Sequence, residues 1–369
     1  MRFKKIKSAV YYSLFLLAFT LIAAELLLRI YNPFPSSVVG DKIVLTRNYS
    51  RIFENNGIRG LDKRVFYKKN NLGFRGAEAP ADFNDWLTII AVGGSTTECT
   101  SINEGKTWED HLGHTLDQSI NKIWVNNAGF DGHSTFGHQV LLRDYIQYLN
   151  PKVCLFLIGF NDVNRSDPAD DLNFTKSHTG WLIQLAKYSK LANLILNLYR
   201  NHLTKEQGMP QAFSKFGSQH LYLPDSTIQK TLMDSKPFLE NYGKRLHEIV
   251  RLCRSSRIEP VFITQPTMTG FGIDSLTGFD LENCMLTNKL NGKLHWGQLE
   301  LYNDVTRRVG AETGTLVIDL AHKLPKSSAY FVDNLHYNNE GCSKVAEIVA
   351  CDLIPYLQQK FVQYKKQGY

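Results

Sequence analysis

Four short motifs in this chain carry residues suited to attack on a carbonyl: GGSTT at 93–97, NAGFDGHST at 127–135, GFND at 159–162 and DNLH at 333–336. Ser95 is the candidate nucleophile. A neutral serine hydroxyl is weak and needs a neighbouring base. His336 is the candidate base, and Asp333, three residues earlier, can orient an imidazole and stabilise its protonated form. The backbone N–H groups of Ser95 and Gly132 and the side-chain amide of Asn161 are candidate donors to a developing oxyanion. Removing one such donor typically costs about 10²–10³ in turnover. Together these are the parts of acyl transfer through a covalent ester intermediate.

Each motif has a plainer reading when taken alone. A glycine-rich strand-to-helix turn can bind phosphate, although the spacing around Ser95 fits neither GxxxxGK(S/T) nor GxGxxG, nor the GxSxG elbow. Asp333 or Asn338 could cap the last helix and leave His336 on the surface. Asn161 could be a turn residue, and Gly132 a loop glycine at positive φ. Cys99 is a rival nucleophile without a flanking glycine turn, and Asp319, at a strand end, is a rival acid. Asp162 reads as a turn or support residue. His111 and His114 share a predicted helix face, and His133 and His138 flank a helix start. Neither an HExxH motif nor an Asp-rich set accompanies them, so they read as structural or surface residues.

The elements that must position these side chains follow from hydrophobic periodicity. Apolar, β-branched runs predict strands over 87–92, 123–127, 153–158, 260–264 and 315–318. Helical spacing predicts helices near 107–120, 134–149, 237–255, 298–312 and 341–361. Strands alternating with helices imply a parallel sheet covered on both faces, and uninterrupted apolar runs suit strands buried on both sides. The serine, glycine and asparagine motifs each follow a predicted strand, at the end where such sheets bind ligands. Two stretches break the rhythm, 160–235 (with helix expected over 181–202) and 267–297. Both are candidate lids or specificity loops.

The chain has 369 residues, 43% hydrophobic and 21% charged, within the range of ordinary globular proteins. Four of its seven net positive charges are Arg2, Lys4, Lys5 and Lys7, ahead of an apolar run of about 20 residues over 9–28, long enough to cross a bilayer. The leading basic residues predict a cytoplasmic N-terminus and an extracytoplasmic bulk. Glu25 is the one charge in the run. At mid-bilayer it would cost roughly 2.5–3.5 kcal/mol, and less near an end. A signal peptide cleaved after 22–24 is the competing reading, weakened by apolar residues that continue through Leu28 and Ile30. The six cysteines show no metal-ligand spacing. No basic stripe with interleaved aromatics is present, so nucleic acid is not an expected partner.

The four motifs in this order resemble those of the SGNH (GDSL-type) hydrolase family. GGS carries the serine block, NAGFDG the glycine block, GFND the asparagine block and DNLH the terminal acid–base block. The segment NLGFRG at 71–76 resembles one seen ahead of the serine block in membrane-anchored members. Gly94 stands where the family's usual GDS has Asp. The resemblance implies a flavodoxin-like three-layer α/β/α sandwich with a five-stranded, mainly parallel sheet, behind an N-terminal transmembrane helix. It implies no cofactor or metal, Ser95, His336 and Asp333 as catalytic residues, and Ser95, Gly132 and Asn161 as the oxyanion hole. The expected divisions are 1–33 (basic tip and anchor), 34–85 (linker and small cap) and 86–369 (hydrolase domain). The expected activity is hydrolysis of acyl or acetyl esters of carbohydrates or lipids at the cell membrane, periplasmic where an outer membrane exists. The same site could serve an O-acetyltransferase acting on surface polysaccharide. A non-catalytic carbohydrate-binding or assembly protein on this scaffold is a third reading.

Overall fold

Five of the apolar runs form one parallel sheet. The computed structural model describes residues 2–31, 38–39, 42–55, 57–166, 180–206 and 219–366. The chain separates into two compact units, a smaller one of 1–46 with 172–209 and a larger one of 47–171 with 210–369. These partings differ from the expected divisions. Residues 47–85 group with the hydrolase-like unit, and 172–209 group with the N-terminal helix.

The larger unit opens with an antiparallel hairpin, β1 (Tyr49–Glu54) and β2 (Arg64–Lys69). The sheet follows: β3 (Leu87–Gly93), β4 (Ile123–Asn127), β5 (Val153–Ile158), β6 (Glu259–Thr264) and β7 (Leu316–Ile318). Its order is β7-β6-β5-β3-β4, with every pair parallel. Counted along the chain this is the 2-1-3-4-5 order of flavodoxin-like folds, whose topological switch lies between the first and third strands. Here those strands are β3 and β5. All residues of both are buried, as continuous apolar runs require.

The main helices are α1 (Trp108–Asp117), α2 (Thr135–Leu141), α3 (Lys236–Ser255), α4 (Gly292–Thr313) and α5 (Asn339–Lys360). On one face α1 packs with α5 over Leu87, Ile89 and Ala91. On the other, α3 packs with α2 and α4. Thr107 and Asp110 form a capping box that starts α1. Helix α4 begins before the expected position 298, because the Asn291 side chain caps it by accepting the Leu294 N–H at 2.9 Å. The expected helix over 134–149 is interrupted by a π-helical stretch, Leu142–Ile146.

In the smaller unit, the helix Arg2–Ile30 contains Val10–Ile30, a 21-residue span of mean hydropathy 2.1 with none of it buried. It is the only helix among the described residues long and apolar enough to cross a membrane, a test that a signal sequence also passes. Two further helices, Gly180–Ala186 and Lys190–Glu206, occupy the region expected to be helical.

Candidate active site

Ser95 stands at the carboxyl end of β3 as the first residue of a short helical turn, Ser95–Glu98. Gly94 precedes it for a reason of space. A Cβ at position 94 would lie 2.2 Å from Asn161 Nδ2, well inside van der Waals contact. Asn161 reaches that point from a 3-10 turn, Phe160–Asp162, at the end of β5. The two strands flanking the switch point thus bring Ser95 and Asn161 to one cleft of about 240 Å³, open space included.

His336 arrives from the loop ahead of α5. Its Nε2 lies 2.8 Å from Ser95 Oγ, and its Nδ1 lies 2.8 Å from Asp333 Oδ2. The other Asp333 oxygen accepts the backbone N–H groups of Leu335 and His336, both at 2.7 Å. Burial opposes ionisation of Asp333, but the His336 side chain and these two N–H groups outweigh it and hold the carboxyl below its ordinary pKa. Burial likewise disfavours the imidazolium of His336. The hydrogen bond and charge of Asp333, with the charge of Asp131, outweigh it and raise the imidazole pKa above its usual value. A serine hydroxyl bonded to an imidazole that is itself held by a carboxylate is an arrangement able to deprotonate the hydroxyl.

Of the expected oxyanion donors, the Asn161 amide donates to the His133 carbonyl at 2.9 Å. An amide carries two N–H donors, so this bond fixes the group while leaving a second donor. Gly132 has φ +74°, a left-handed backbone that favours glycine. It is not among the residues lining the cleft, whereas its neighbour His133 is. Asp162 is buried and accepts from Arg245 Nη2 at 3.0 Å and from the backbone N–H of Thr135. That network ties the turn after β5 to the start of α2 and the middle of α3.

The rival residues are engaged elsewhere. Cys99 is buried, and its contact with Cys342 together with burial pushes the thiol pKa well above normal, which disfavours the thiolate. Asp319 pairs with Arg307 and His322, each at 2.8 Å. Among the described residues no group of three or more His, Cys, Asp or Glu side chains is placed to hold a metal ion.

Sequence reasoning missed a buried network behind the Ser95 turn. The guanidinium of Arg75 (1% exposed) donates to the carbonyls of Glu98, Cys99 and Ile102 at 2.6–3.0 Å and pairs with Glu104 at 3.1 Å. Its backbone pairs with Asn127. The Glu98 carboxylate accepts from Tyr67 Oη and the Asp131 N–H, both at 2.7 Å, and lies 3.4 Å from Lys69 Nζ. Burial opposes its ionisation, and Lys69, Tyr67 and the Asp131 N–H overcome that. The NLGFRG segment contains Arg75, and Glu98 directly follows GGSTT. Position in sequence was therefore a signal, but the partners lie far apart along the chain. Gln265, at the end of β6, and His133 and His138, near the start of α2, also line the cleft and were not assigned to it.

A sequence model of the GDSL-like lipase/acylhydrolase family matches residues 91–343, which is well over half of the chain. No curated protein matches the sequence. Among solved structures, the chain is similar to a lipase/acylhydrolase from Enterococcus faecalis, at 14% identity over 76% of this chain and 98% of the other, with a TM-score of 0.41. It is also similar to an acetylxylan esterase from Geobacillus stearothermophilus, at 15% identity over 72% of this chain and 94% of the other, with a TM-score of 0.41. The matched span takes in the serine, glycine, asparagine and Asp–His motifs alike, so the chain belongs to the GDSL-like lipase/acylhydrolase family and is an ester hydrolase.

Proposed function

We propose that the chain is a membrane-anchored, extracytoplasmic serine esterase that removes short acyl groups from a carbohydrate or lipid ester through a Ser-His-Asp acyl-enzyme mechanism. One observation carries this reading: the unbroken hydrogen-bond chain from Asp333 through His336 to Ser95, with both links at 2.8 Å. The apolar span Val10–Ile30 behind a basic tip favours an anchor with its N-terminus in the cytoplasm.

In this mechanism His336 takes the proton of Ser95 as Oγ bonds to the ester carbonyl carbon. The resulting oxyanion is held by the N–H groups of Ser95 and Gly132 and the amide of Asn161. On collapse the carbon–alkoxide bond breaks, and His336 returns its proton to the leaving alcohol. Water then attacks the acyl-serine with His336 again as base, releasing the acid and restoring the serine. Asp333 keeps Nδ1 protonated and Nε2 free to accept throughout.

The test is turnover of short-chain aryl esters and acetylated sugars by wild type and Ser95→Ala, together with mass spectrometry of the trapped acyl-enzyme. The expected result is an acyl adduct on Ser95 and loss of turnover in the variant. Equal rates for the two proteins would sink the nucleophile assignment. Transfer to a sugar hydroxyl in preference to water would convert the reading from hydrolase to transferase.

A further inference from the structure

The smaller unit carries an apolar surface that ester chemistry does not use. On the helix Gly180–Ala186 and the turn after it, Trp181, Leu185 and Tyr188 form an exposed i, i+4, i+7 stripe, at 69%, 47% and 79%. On Lys190–Glu206, Ile195, Leu198 and Tyr199 form a second stripe, at 48%, 57% and 43% exposed. The inward sides of the two helices are already satisfied. Ala186, Ala192 and Leu196 are buried together, with Leu182 and Ile183 packed against them. The two helices therefore share a small core and each carries exposed apolar residues besides. Six large apolar side chains exposed on one pair of packed helices are more than scattered surface residues and point to something that covers them.

This hairpin is fastened to the apolar helix Arg2–Ile30 at Glu25. The Glu25 carboxylate accepts the backbone N–H groups of Lys190 at 3.1 Å and Leu191 at 2.9 Å, and the Ser189 hydroxyl at 2.8 Å. It thus caps the start of Lys190–Glu206, where the helix dipole favours an anion. Arg29 donates to the same carboxylate at 2.7 Å and to the Tyr188 carbonyl at 2.7 Å. The one acidic residue in the apolar run is therefore paired and capping rather than facing lipid. Glu25 lies five residues before the end of the helix, about 8 Å along its axis at 1.5 Å per residue. That distance suits the interfacial layer of a bilayer, where Trp and Tyr concentrate.

We infer that the hairpin 180–206 is a second membrane-contacting element, lying in the outer lipid interface with Trp181, Leu185, Tyr188, Ile195, Leu198 and Tyr199 against the acyl boundary. The occupant is lipid because the apolar face belongs to the same unit as the exposed apolar span Val10–Ile30 and is locked to that span near its outer end. The arrangement is that of a monotopic amphipathic element joined to a spanning helix, and it rests on the anchored reading above.

The full chain, reconstituted in phosphatidylcholine vesicles with and without brominated acyl chains, tests this by tryptophan quenching. Bromolipid should quench a component of the emission that disappears in Trp181→Phe, since the other tryptophans lie in the larger unit. Glu25→Ala should stay embedded but lose much of that quenching, because the hairpin is released from its cap. Retention on vesicles through an alkaline wash, with Trp181 unquenched, would overturn this inference and leave the anchor standing. Release from vesicles would overturn both. Cross-linking between copies through Leu185→Cys in a Cys351→Ser background, with Trp181 unquenched, would assign the face to a second copy instead. Unchanged quenching in Glu25→Ala would overturn the fastening.

Discussion

The Ser95 turn and the Asp333–His336 loop meet at a 2.8 Å hydrogen bond, yet they are held in different ways. The base loop is held mainly by itself. The Asp333 carboxylate accepts the N–H groups two and three residues ahead and the imidazole of the same loop. Support from outside comes chiefly at Asn334, whose carbonyl accepts the Met268 N–H at 3.0 Å. The Ser95 turn is held from far along the chain. Arg75 collects its terminal carbonyls, and Lys69 and Tyr67 neutralise and bond Glu98. Local hydrogen bonds hold the loop that carries the imidazole, and a buried ionic brace holds the turn that carries the Ser95 hydroxyl.

The sharpest break in this comparison is Asp333→Asn. The amide oxygen could still accept the Leu335 and His336 N–H groups, so the loop and the global stability should change little. Its NH₂, however, would face Nδ1 and favour the tautomer that cannot accept the serine proton. Turnover of a short-chain ester should fall by about 10⁴-fold, with an unfolding midpoint close to wild type. A large loss of stability in this variant would show that the loop is not self-held.

Arg75→Met should do the reverse. It strands Glu104 and removes the donors to three carbonyls, and breaking a buried pair costs about 3–5 kcal/mol. Urea unfolding should show that loss. Adding Glu104→Gln should recover part of it, because the uncompensated charge is gone. Arg75→Lys should not rescue, since an ammonium cannot span the same fork of acceptors. An unchanged unfolding midpoint in Arg75→Met would remove the brace from the comparison.

The same contrast explains what could be read in the sequence. The strands were legible because β3 and β5 are buried on both faces and so read as unbroken apolar runs. The DNLH motif was legible because its hydrogen bonds span three residues. The brace was not, because Lys69, Arg75 and Glu98 meet only after β1, β2 and the segment 70–76 have folded against the serine turn. Hydrophobic periodicity carries no information about such a polar network. In the stretch 160–235 helix falls where it was expected, over 181–202, but what those helices pack against was not legible, for a related reason. Two of its helices, Gly180–Ala186 and Lys190–Glu206, bury an inward side in the smaller unit, and nothing local in the sequence announces that partner. Residues 167–179 and 207–218 of that stretch lie outside the described residues.

Gly94 offers a smaller and more local break. Restoring the aspartate usual in the family would place a Cβ 2.2 Å from Asn161 Nδ2, so the amide would have to leave its bond to the His133 carbonyl. Gly94→Asp should lower turnover by about 10²–10³, the worth of one oxyanion donor, with little change in KM. Asn161→Ala should match it. In the double variant the two losses should not add, because both remove the same donor. Additive losses would mean that Gly94 serves the site in some other way.

The finest distinction concerns Asp131, where the two regions touch electrostatically. Its backbone N–H is bound by Glu98 of the brace, and its carboxylate is one of two that favour the protonated form of His336. Asp131→Asn keeps the backbone bond and removes only the charge. His336 must be neutral to accept the serine proton, so kcat/KM falls as pH drops through its raised pKa. With the Asp131 charge gone, that acidic limb should move to lower pH, while the plateau rate at high pH stays within a few-fold of wild type. Asp333 should remain the larger influence, since its hydrogen bond and charge both act on the ring. A pH–rate profile of the free enzyme decides the matter. An unmoved limb would confine the Asp131 carboxylate to the brace, and the base loop would then set the proton affinity of His336 without help from the nucleophile side.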